Sequence, residues 1–455
     1  MKVHASIAKL TATLLDHGAR AFIVGGYVRD HFLGLESKDI DIEVYGVSSL
    51  DVLKSALEDL APVHEVGKSF GVLKINLDGY DIDISLPRTE VKTGKGHKGF
   101  HIQTNGHLDF TSAAKRRDFT MNAIGYDIKT DFFLDPYDGR KDIEEGIIRH
   151  VDDESFIEDP LRVLRAVQFS ARFNFKLHTN TLRLCQNMVK DNMLDELPKE
   201  RIFEEYKKLL LKANKPSLGF ELLDELEALS VELKALQGVE QDKTYHPEGD
   251  VWIHTMMSLD AMSELKTGDD KKDIMLLLAT LCHDLGKVEA TKKVNGKISA
   301  IGHENILEPT ISFITRLSDE KSLLEDITPL IKEHLIPSQL YKQKAKDPAI
   351  RRLSTRVNIQ DLVILAKADH LGRTTTEAKK KKYPAGDWLI KKAQKLKVQN
   401  KQPEAILLGR HLIDEGMTPG LEFKLILKEA YEEQLEGKIV DEKTANKWLK
   451  AYLSP

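Results

Sequence analysis

The sequence predicts an α+β protein, with a small head of short strands and helices at residues 1–150 and an almost unbroken run of helices after it. Three observations carry this reading. Strand-like apolar runs, some with period-two alternation, mark the first 150 positions. From Pro160 onward apolar residues recur at helical spacing. The 455 residues are too many for one ordinary core, so two to four domains are expected.

With 41% hydrophobic and 31% charged residues, the chain has the make-up of a soluble folded protein. No apolar run approaches the length of a membrane span, and Met1-Lys2-Val3-His4 does not open a secretory signal. Only Cys185 and Cys282 are present, far apart, which argues against a disulfide framework and for a reducing, cytoplasmic setting. The net charge of −5 is no signature of a nucleic-acid binder, yet basic residues cluster at Lys115-Arg116-Arg117, Arg162 with Arg165, 379–382 and 391–397. A lysine run such as 379–382 is as readily a solvated helix face as a binding surface. The arginines, by contrast, sit inside patterned motifs.

In the head, Ala21–Gly26 reads as a strand ending in glycines and Tyr27–Leu33 as a helix start. Ile40–Tyr45, Val72–Leu77 and Tyr80–Leu86 read as strands. Lys92–Gly106 has four glycines and no apolar periodicity, and reads as a mobile loop. Gly25-Gly26 before a helix would let a backbone approach a phosphate, with the helix N–H groups favouring the anion; a plain tight turn explains the pair equally well. Asp39 and Asp41 lie two apart on a strand and so share a face. Two aligned carboxylates repel one another unless a cation such as Mg²⁺ lies between them, or the strand is simply a solvated edge. The second Asp-Ile-Asp strand tips the balance towards Mg²⁺, with Asp83 the candidate third carboxylate. Such a set suits transfer of a nucleotidyl group to a ribose 3′-hydroxyl.

Arg116-Arg117-Asp118-Phe119 offers guanidinium groups for a triphosphate. Asp159, Arg162 and Arg165 follow at i, i+3 spacings, on one face of a helix. Asp159 and Arg162 either form a donor–acceptor edge for the Watson–Crick face of a base, or Asp159 caps the helix and pairs with Arg162. Helices are expected over Leu161–Phe173, Thr179–Lys190, Pro198–Leu211 and Leu218–Leu229. The one opened by Pro198, carrying Glu200, Arg201, Glu204 and Glu205, is placed to buttress the Asp159–Arg165 segment. A further helical block at about 250–375 holds most of the isolated histidines, and a basic helix, a turn at Met417–Gly420 and amphipathic helices finish the chain.

In that block, His246-Pro247-Glu248-Gly249-Asp250 leads into His254, followed by His283-Asp284-Leu285-Gly286-Lys287, His303-Glu304, His334 and Asp369-His370. Separate helical segments each bring an imidazole or a carboxylate. That mixture suits Mn²⁺, Fe²⁺, Co²⁺, Ni²⁺ or Zn²⁺, with Mg²⁺ possible where carboxylates dominate.

Taken in order, Gly25–Asp30 (GGYVRD), Asp39–Asp41 (DID), Arg116–Ala123 (RRDFTMNA) and Glu158–Ala166 (EDPLRVLRA) closely resemble the class II tRNA nucleotidyltransferases and bacterial poly(A) polymerases. The resemblance covers residues 20 to about 215 and continues more thinly to the C-terminus. It implies a nucleotidyltransferase head with a mixed sheet at 1–150, a helical neck at 151–240, an HD domain at 241–385 and a tRNA-contacting tail at 386–455. Residue by residue, it implies that Gly26, Arg29 and Arg117 bind nucleotide and that Asp39 and Asp41 hold Mg²⁺. Asp159 and Arg162 would read the incoming base, with Arg165 a further nucleotide contact. Many members carry an arginine where this chain has Gln168, which leaves selection between CTP and ATP open. His254, His283-Asp284 and Asp369 resemble the four-ligand signature of HD phosphohydrolases, with a divalent transition metal or Mg²⁺ as the ion. There His303 and His334 are candidates for a second ion or for phosphate contact, and Lys287 for steadying charge. The expected activity is addition of CCA to the tRNA 3′ end from CTP and ATP, together with HD hydrolysis. No membrane and no obligate protein partner is expected. The alternatives are an A-adding or CC-adding enzyme, a poly(A) polymerase, a protein acting mainly as an HD hydrolase, or a non-catalytic RNA-binding protein.

Overall fold

The structure, a computed structural model, describes residues 1, 3–66, 71–92 and 100–454. It divides into two compact units, Met1–Ala213 with Leu218–Leu229, and Asn214–Ser217 with Ser230–Pro455.

The first unit opens with α1 (Ala5–Asp16), β1 (Arg20–Val24), α2 (Gly26–Phe32), β2 (Asp39–Tyr45) and α3 (Asp51–Glu58). β3 (Val63–Val66), β4 (Val72–Leu77), β5 (Tyr80–Ser85), β6 (Arg88–Lys92) and β7 (Phe100–Thr104) follow. Then come α4 (Phe110–Ala114), β8 (Gly125–Asp127), β9 (Phe132–Leu134) and α5 (Gly139–Glu145). Helices α6 (Asp153–Glu158), α7 (Leu161–Phe173), α8 (Thr179–Lys190) and α9 (Lys199–Lys212) continue the chain. Seven strands form one sheet in the order β3-β4-β5-β2-β1-β8-β9. Among the described residues of this sheet only the β2–β5 pairing is parallel, so the head sheet is mixed.

That parallel pair is pinned by its apolar face. Ile40, Ile42 and Val44 of β2 and Ile82 and Ile84 of β5 are at most 2% exposed, which sends the intervening aspartates to the opposite face. A slip of one residue would bury the carboxylates in place of the isoleucines, at a cost of several kcal/mol or more for each unpaired charge. Register therefore follows from composition. Asp39 stands beside Asp81, and Asp41 beside Asp83.

Two expectations need correction. The segment 92–106 is not all loop, because Phe100–Thr104 pairs antiparallel with Arg88–Lys92 as a β-ribbon. The glycines before it mask a short β-prone run, and residues 93–99 of that expected loop lie outside the described residues. Asp159, moreover, is not on a helix face with Arg162 and Arg165. It has extended backbone at the end of α6, and Pro160 then opens α7, as expected of a residue before proline.

The second unit is helical around a core that includes Leu259, Leu277, Leu281, Leu362 and Leu365, each fully buried. Helix Val251–Ser263 starts where the Asp250 carboxylate accepts the Ile253 N–H at 2.9 Å. Helices Asp270–Cys282, Lys321–Glu333 and Ile359–Leu371 and the 3₁₀ turn His303–Asn305 complete the elements that bear the histidine motifs. Toward the C-terminus, Gly409–Asp414, Leu421–Glu436 and Glu442–Leu453 enclose a small core of Leu412, Ile426, Ala445 and Leu449. Among the described residues, no helix is long and apolar enough to cross a membrane.

Candidate active and metal sites

The head site forms where β1 stops. Gly25 has φ of +72°, a conformation that costs other residues about 1 kcal/mol or more, and Gly26 opens α2. A Cβ on Gly25 would stand 3.2 Å from both Arg117 Nη1 and Asp41 Oδ2, so the turn, the basic motif and the aspartate strand converge here. Replacing Gly25 with Ala combines backbone strain with crowding of those two groups. We expect Gly25→Ala to weaken nucleotide binding at this site about tenfold, read by equilibrium binding, through a local cost of about 1–2 kcal/mol.

Asp41 is exposed at its surface, yet the atoms packed around its carboxyl desolvate it and push its pKa up; Arg117 opposes this, while Asp83, Glu43 and Asp39 add to it. Lys74 meets Asp83 at 2.8 Å from the solvent side. Asp39, Asp41 and Asp83 thus offer only carboxylate oxygens, with more negative charge than the cations beside Asp41 balance. All-oxygen donors of this kind suit a hard divalent cation.

The sequence reading missed Glu43. It continues the spacing-two pattern of β2 and is 1% exposed, accepting from Arg116 at 2.7 Å, Arg117 at 2.9 Å and the Tyr45 hydroxyl at 2.9 Å. Burial alone would raise its pKa, but Arg117 and Arg116 hold its carboxyl below the usual range. Glu43 therefore fixes the guanidinium groups of the basic motif.

The other motif arginines are similarly held. Arg29 is 5% exposed, donates to Asp30 at 2.6 and 2.8 Å and to Asn122 at 2.8 Å, and lies over the rings of Phe169 and Phe173. Asn122 in turn donates to Asp118 at 2.9 Å, and Asp118 accepts from Arg165 at 2.6 and 2.7 Å. Arg29 and Arg165 thus each have a carboxylate partner, a role that the Arg-Asp dipeptides at 29–30 and 117–118 hint at.

Asp118 carries a testable pH dependence. Burial would raise its carboxyl, but Arg165 and the Asn122 hydrogen bond bring it down to about 2. A carboxyl depressed on folding adds stability above its unfolded pKa of about 4, and that stability fades as pH falls towards 2. We expect Asp118→Asn to destabilise the head by about 2 kcal/mol at neutral pH, with the gap to the unsubstituted protein closing below pH 4. Urea unfolding across that range measures it.

The structure does not pair Asp159 with Arg162. Asp159 accepts from Arg201 of α9 at 3.0 Å and from the Leu161 N–H at 3.2 Å. Arg162 donates to the Ser155 and Arg116 carbonyls at 2.5 and 2.6 Å. Helix α9 buttresses the segment through Arg201, and through Glu205 at 4.0 Å from Arg165. Gln168 is 2% exposed, with no hydrogen-bond partner for its amide nitrogen.

In the second unit the predicted ligands do come together. His254 Nε2 is 3.1 Å from Asp369 and 3.8 Å from Asp284; His283 Nε2 is 3.3 Å and His303 Nε2 3.1 Å from Asp284. Ligand atoms of His254, His283 and Asp284 lie within 4.8 Å of one another, as do those of Asp284, His303 and His334. Three rings are set by backbone carbonyls, which accept the Nδ1–H of His283 at 2.7 Å, of His303 at 2.7 Å and of His334 at 2.6 Å. Each ring then turns an Nε2 lone pair inward. Burial, with His283 nearby, lowers the His334 pKa to about 3 and keeps that ring neutral.

Asp284 Oδ2 meets the Lys287 ammonium, but His283 Nε2, His303 Nε2 and Asp284 Oδ1 are buried without a well-directed hydrogen bond despite the short distances. Such orphaned donors and acceptors are costly unless an ion completes them. With imidazole nitrogens and carboxylates mixed, the set fits a divalent ion. Lys287 lies 2.7 Å from Asp284, and Arg373, which the sequence reading missed, holds Asp369 at 2.7 and 2.9 Å. The cluster opens into a cavity of ≈350 Å³ lined by Gln241, His246, Lys287, His303, His334 and Arg373, among others. Gly286 permits this packing, since a Cβ there would sit 2.1 Å from the His303 carbonyl.

Fold and sites together define a nucleotidyltransferase head joined to an HD-type metal domain. The family model for the poly A polymerase head domain matches residues 21–149, one described as "Probable RNA and SrmB- binding site of polymerase A" matches 174–237, and the HD domain matches 251–374. The multifunctional CCA protein of Laribacter hongkongensis is 36% identical over 302 residues, 66% of this chain and 70% of that one. Among solved structures, the Bacillus stearothermophilus CCA-adding enzyme in complex with CTP aligns with TM-score 0.68 at 21% identity, covering 99% of this chain and 98% of that one. The Thermotoga maritima CCA-adding enzyme complexed with tRNA aligns with TM-score 0.59 at 22% identity, covering 99% and 97%. The chain belongs to the multifunctional CCA protein family of tRNA nucleotidyltransferases.

Proposed function

We propose that this chain completes tRNA by adding C, C and A in turn to its 3′-hydroxyl from CTP and ATP, releasing pyrophosphate. The observation that carries the reading is the convergence of Gly25, Asp41 and Arg117 beside the Asp41–Asp83 register. The relatives named above add weight through what their names say of CTP and tRNA.

In this reading Asp39 and Asp41, with Asp83, hold Mg²⁺, which supplies charge stabilisation for the nucleophile and the departing pyrophosphate. Gly25 and Gly26 let the triphosphate approach the start of α2, and Arg117 pairs with it. Arg29 and Arg165 add positive potential from among their carboxylate partners. Asp159, steadied by Arg201, and Arg162 read the base; the same pair serves C and A, with Gln168 in place of the further arginine that many relatives carry.

Residues 1–150 act as the head, 151–240 as the neck, 241–385 as the HD domain and 386–455 as a tail that meets tRNA phosphates through its lysines. The two cysteines, free and buried, suit a reducing cytoplasm. In the HD domain His254, His283, Asp284 and Asp369 hold a divalent ion, a transition metal in preference to Mg²⁺. His303 and His334 serve a second ion or the substrate phosphate, and Lys287 balances charge during phosphoester hydrolysis.

The test offers tRNA transcripts ending before CCA, after C and after CC, each with CTP, ATP or both. Extension of all three to CCA and no further supports the reading. Addition of C only or A only supports a specialist, and an indefinite A tail on any RNA defeats it in favour of a poly(A) polymerase.

A further inference from the structure

The four imidazoles around Asp284 are not anchored alike. His283, His303 and His334 each give Nδ1–H to a backbone carbonyl, whereas His254 gives its Nδ1–H to the Glu248 carboxylate at 2.9 Å. The Glu248 side chain is fully buried. Its Oε1 also accepts from His246 at 2.9 Å, and its Oε2 accepts the Thr374 N–H at 3.1 Å. Thr374 directly follows Arg373, the residue that grips Asp369. One carboxylate thus ties the 246–250 loop, the helix bearing His254 and the end of the helix bearing Asp369.

From this geometry we propose that Glu248 is a positioning residue for the HD centre, holding His254 in the Nδ1–H tautomer with Nε2 aimed at the ion while strapping the Arg373–Asp369 clamp alongside it. The inference rests on the reading of the HD domain as a metal centre. A carboxylate behind a ligating imidazole fixes its ring orientation and raises its basicity, which a backbone carbonyl does less strongly; removing such a partner costs about 10–100-fold in metal affinity. His246, Glu248 and His254 are themselves close enough to hold an ion. The two imidazole contacts to the single oxygen Oε1 favour a support instead, because each ring can donate there without any ion.

The test titrates the full chain with Co²⁺ and follows both affinity and the absorption of the bound ion. Glu248→Ala is expected to weaken binding about 10–100-fold and to alter the absorption at saturating Co²⁺. Glu248→Gln, which keeps an acceptor and loses the charge, is expected to fall between. Nucleotide addition by the head should stay unchanged in both, while Glu248→Ala is expected to lower the metal-free melting temperature more than Glu248→Gln, so affinities are compared at temperatures where each metal-free variant is folded. Wild-type affinity and spectrum in Glu248→Ala would overturn the inference, as would weakened binding that simply tracks unfolding of the metal-free protein. Loss of one of two bound Co²⁺ ions, with the remaining spectrum intact, would overturn it in favour of a separate ion at His246 and Glu248. If the unsubstituted chain binds no Co²⁺ and His283→Ala changes nothing, the HD metal reading itself fails.

Discussion

Replacing Asp39 and Asp41 together by alanine is expected to lower nucleotide addition by roughly 10³-fold or more while leaving tRNA binding within a few-fold. The asymmetry follows from where the residues sit. Both side chains lie on the polar face of β2, so the substitution removes no packing from Ile40 or Ile42. It does remove the carboxylates that crowd charge beside Arg117 and Gly25. A single-turnover assay of labelled AMP transfer to tRNA ending in CC measures the chemical step, and filter binding measures tRNA affinity. Equal losses in both would point to a folding defect, and retained addition would show that the metal is held elsewhere.

His283→Ala is expected to produce the complementary phenotype, with hydrolysis of a chromogenic phosphodiester falling at least about 100-fold and nucleotide addition unchanged. His283 is 1% exposed, and the substitution leaves a hole next to Asp284, so a melting curve is needed beside the kinetics. His283→Gln serves as the second variant, because it fills most of the space and offers a weaker ligand. If both variants hydrolyse as the unsubstituted protein does, the His/Asp cluster is structural. If both also lose nucleotide addition, the two activities are coupled in a way that separate sites do not explain.

Much of this was legible in residue types and spacing, and the limits are instructive. Alternation in Asp39–Tyr45 and Tyr80–Leu86 is enough to place the aspartates on one face, because a period of two leaves no other choice. The histidine motifs likewise converge on Asp284 as their residue types suggest. Spacing does not reveal which arginine meets which carboxylate. Glu43 and Arg116 are 73 positions apart, and Asp159 and Arg201 are 42 apart; tertiary packing alone selects those partners. The i, i+3 count suggests a helix at Asp159, but the proline that follows it forces extended backbone there. The pairing of Arg88–Lys92 with Phe100–Thr104 is hidden in the sequence because those strands flank glycines that read as a loop.

The parallel pairing of β2 with β5 has a consequence for how the molecule comes into being. A hairpin closes locally, but strands running the same way must wait for a crossover to be made, and that loop closure is costly before any contact rewards it. Synthesis also runs in one direction. Asp39, Asp41 and Asp83 all leave the ribosome before Arg116 and Arg117, and before β8, which flanks β1 on the side away from β2. For a time the nascent head holds its anions without these cations. On the proposed reading, the head site is complete only once the basic motif has been made and has folded against those carboxylates.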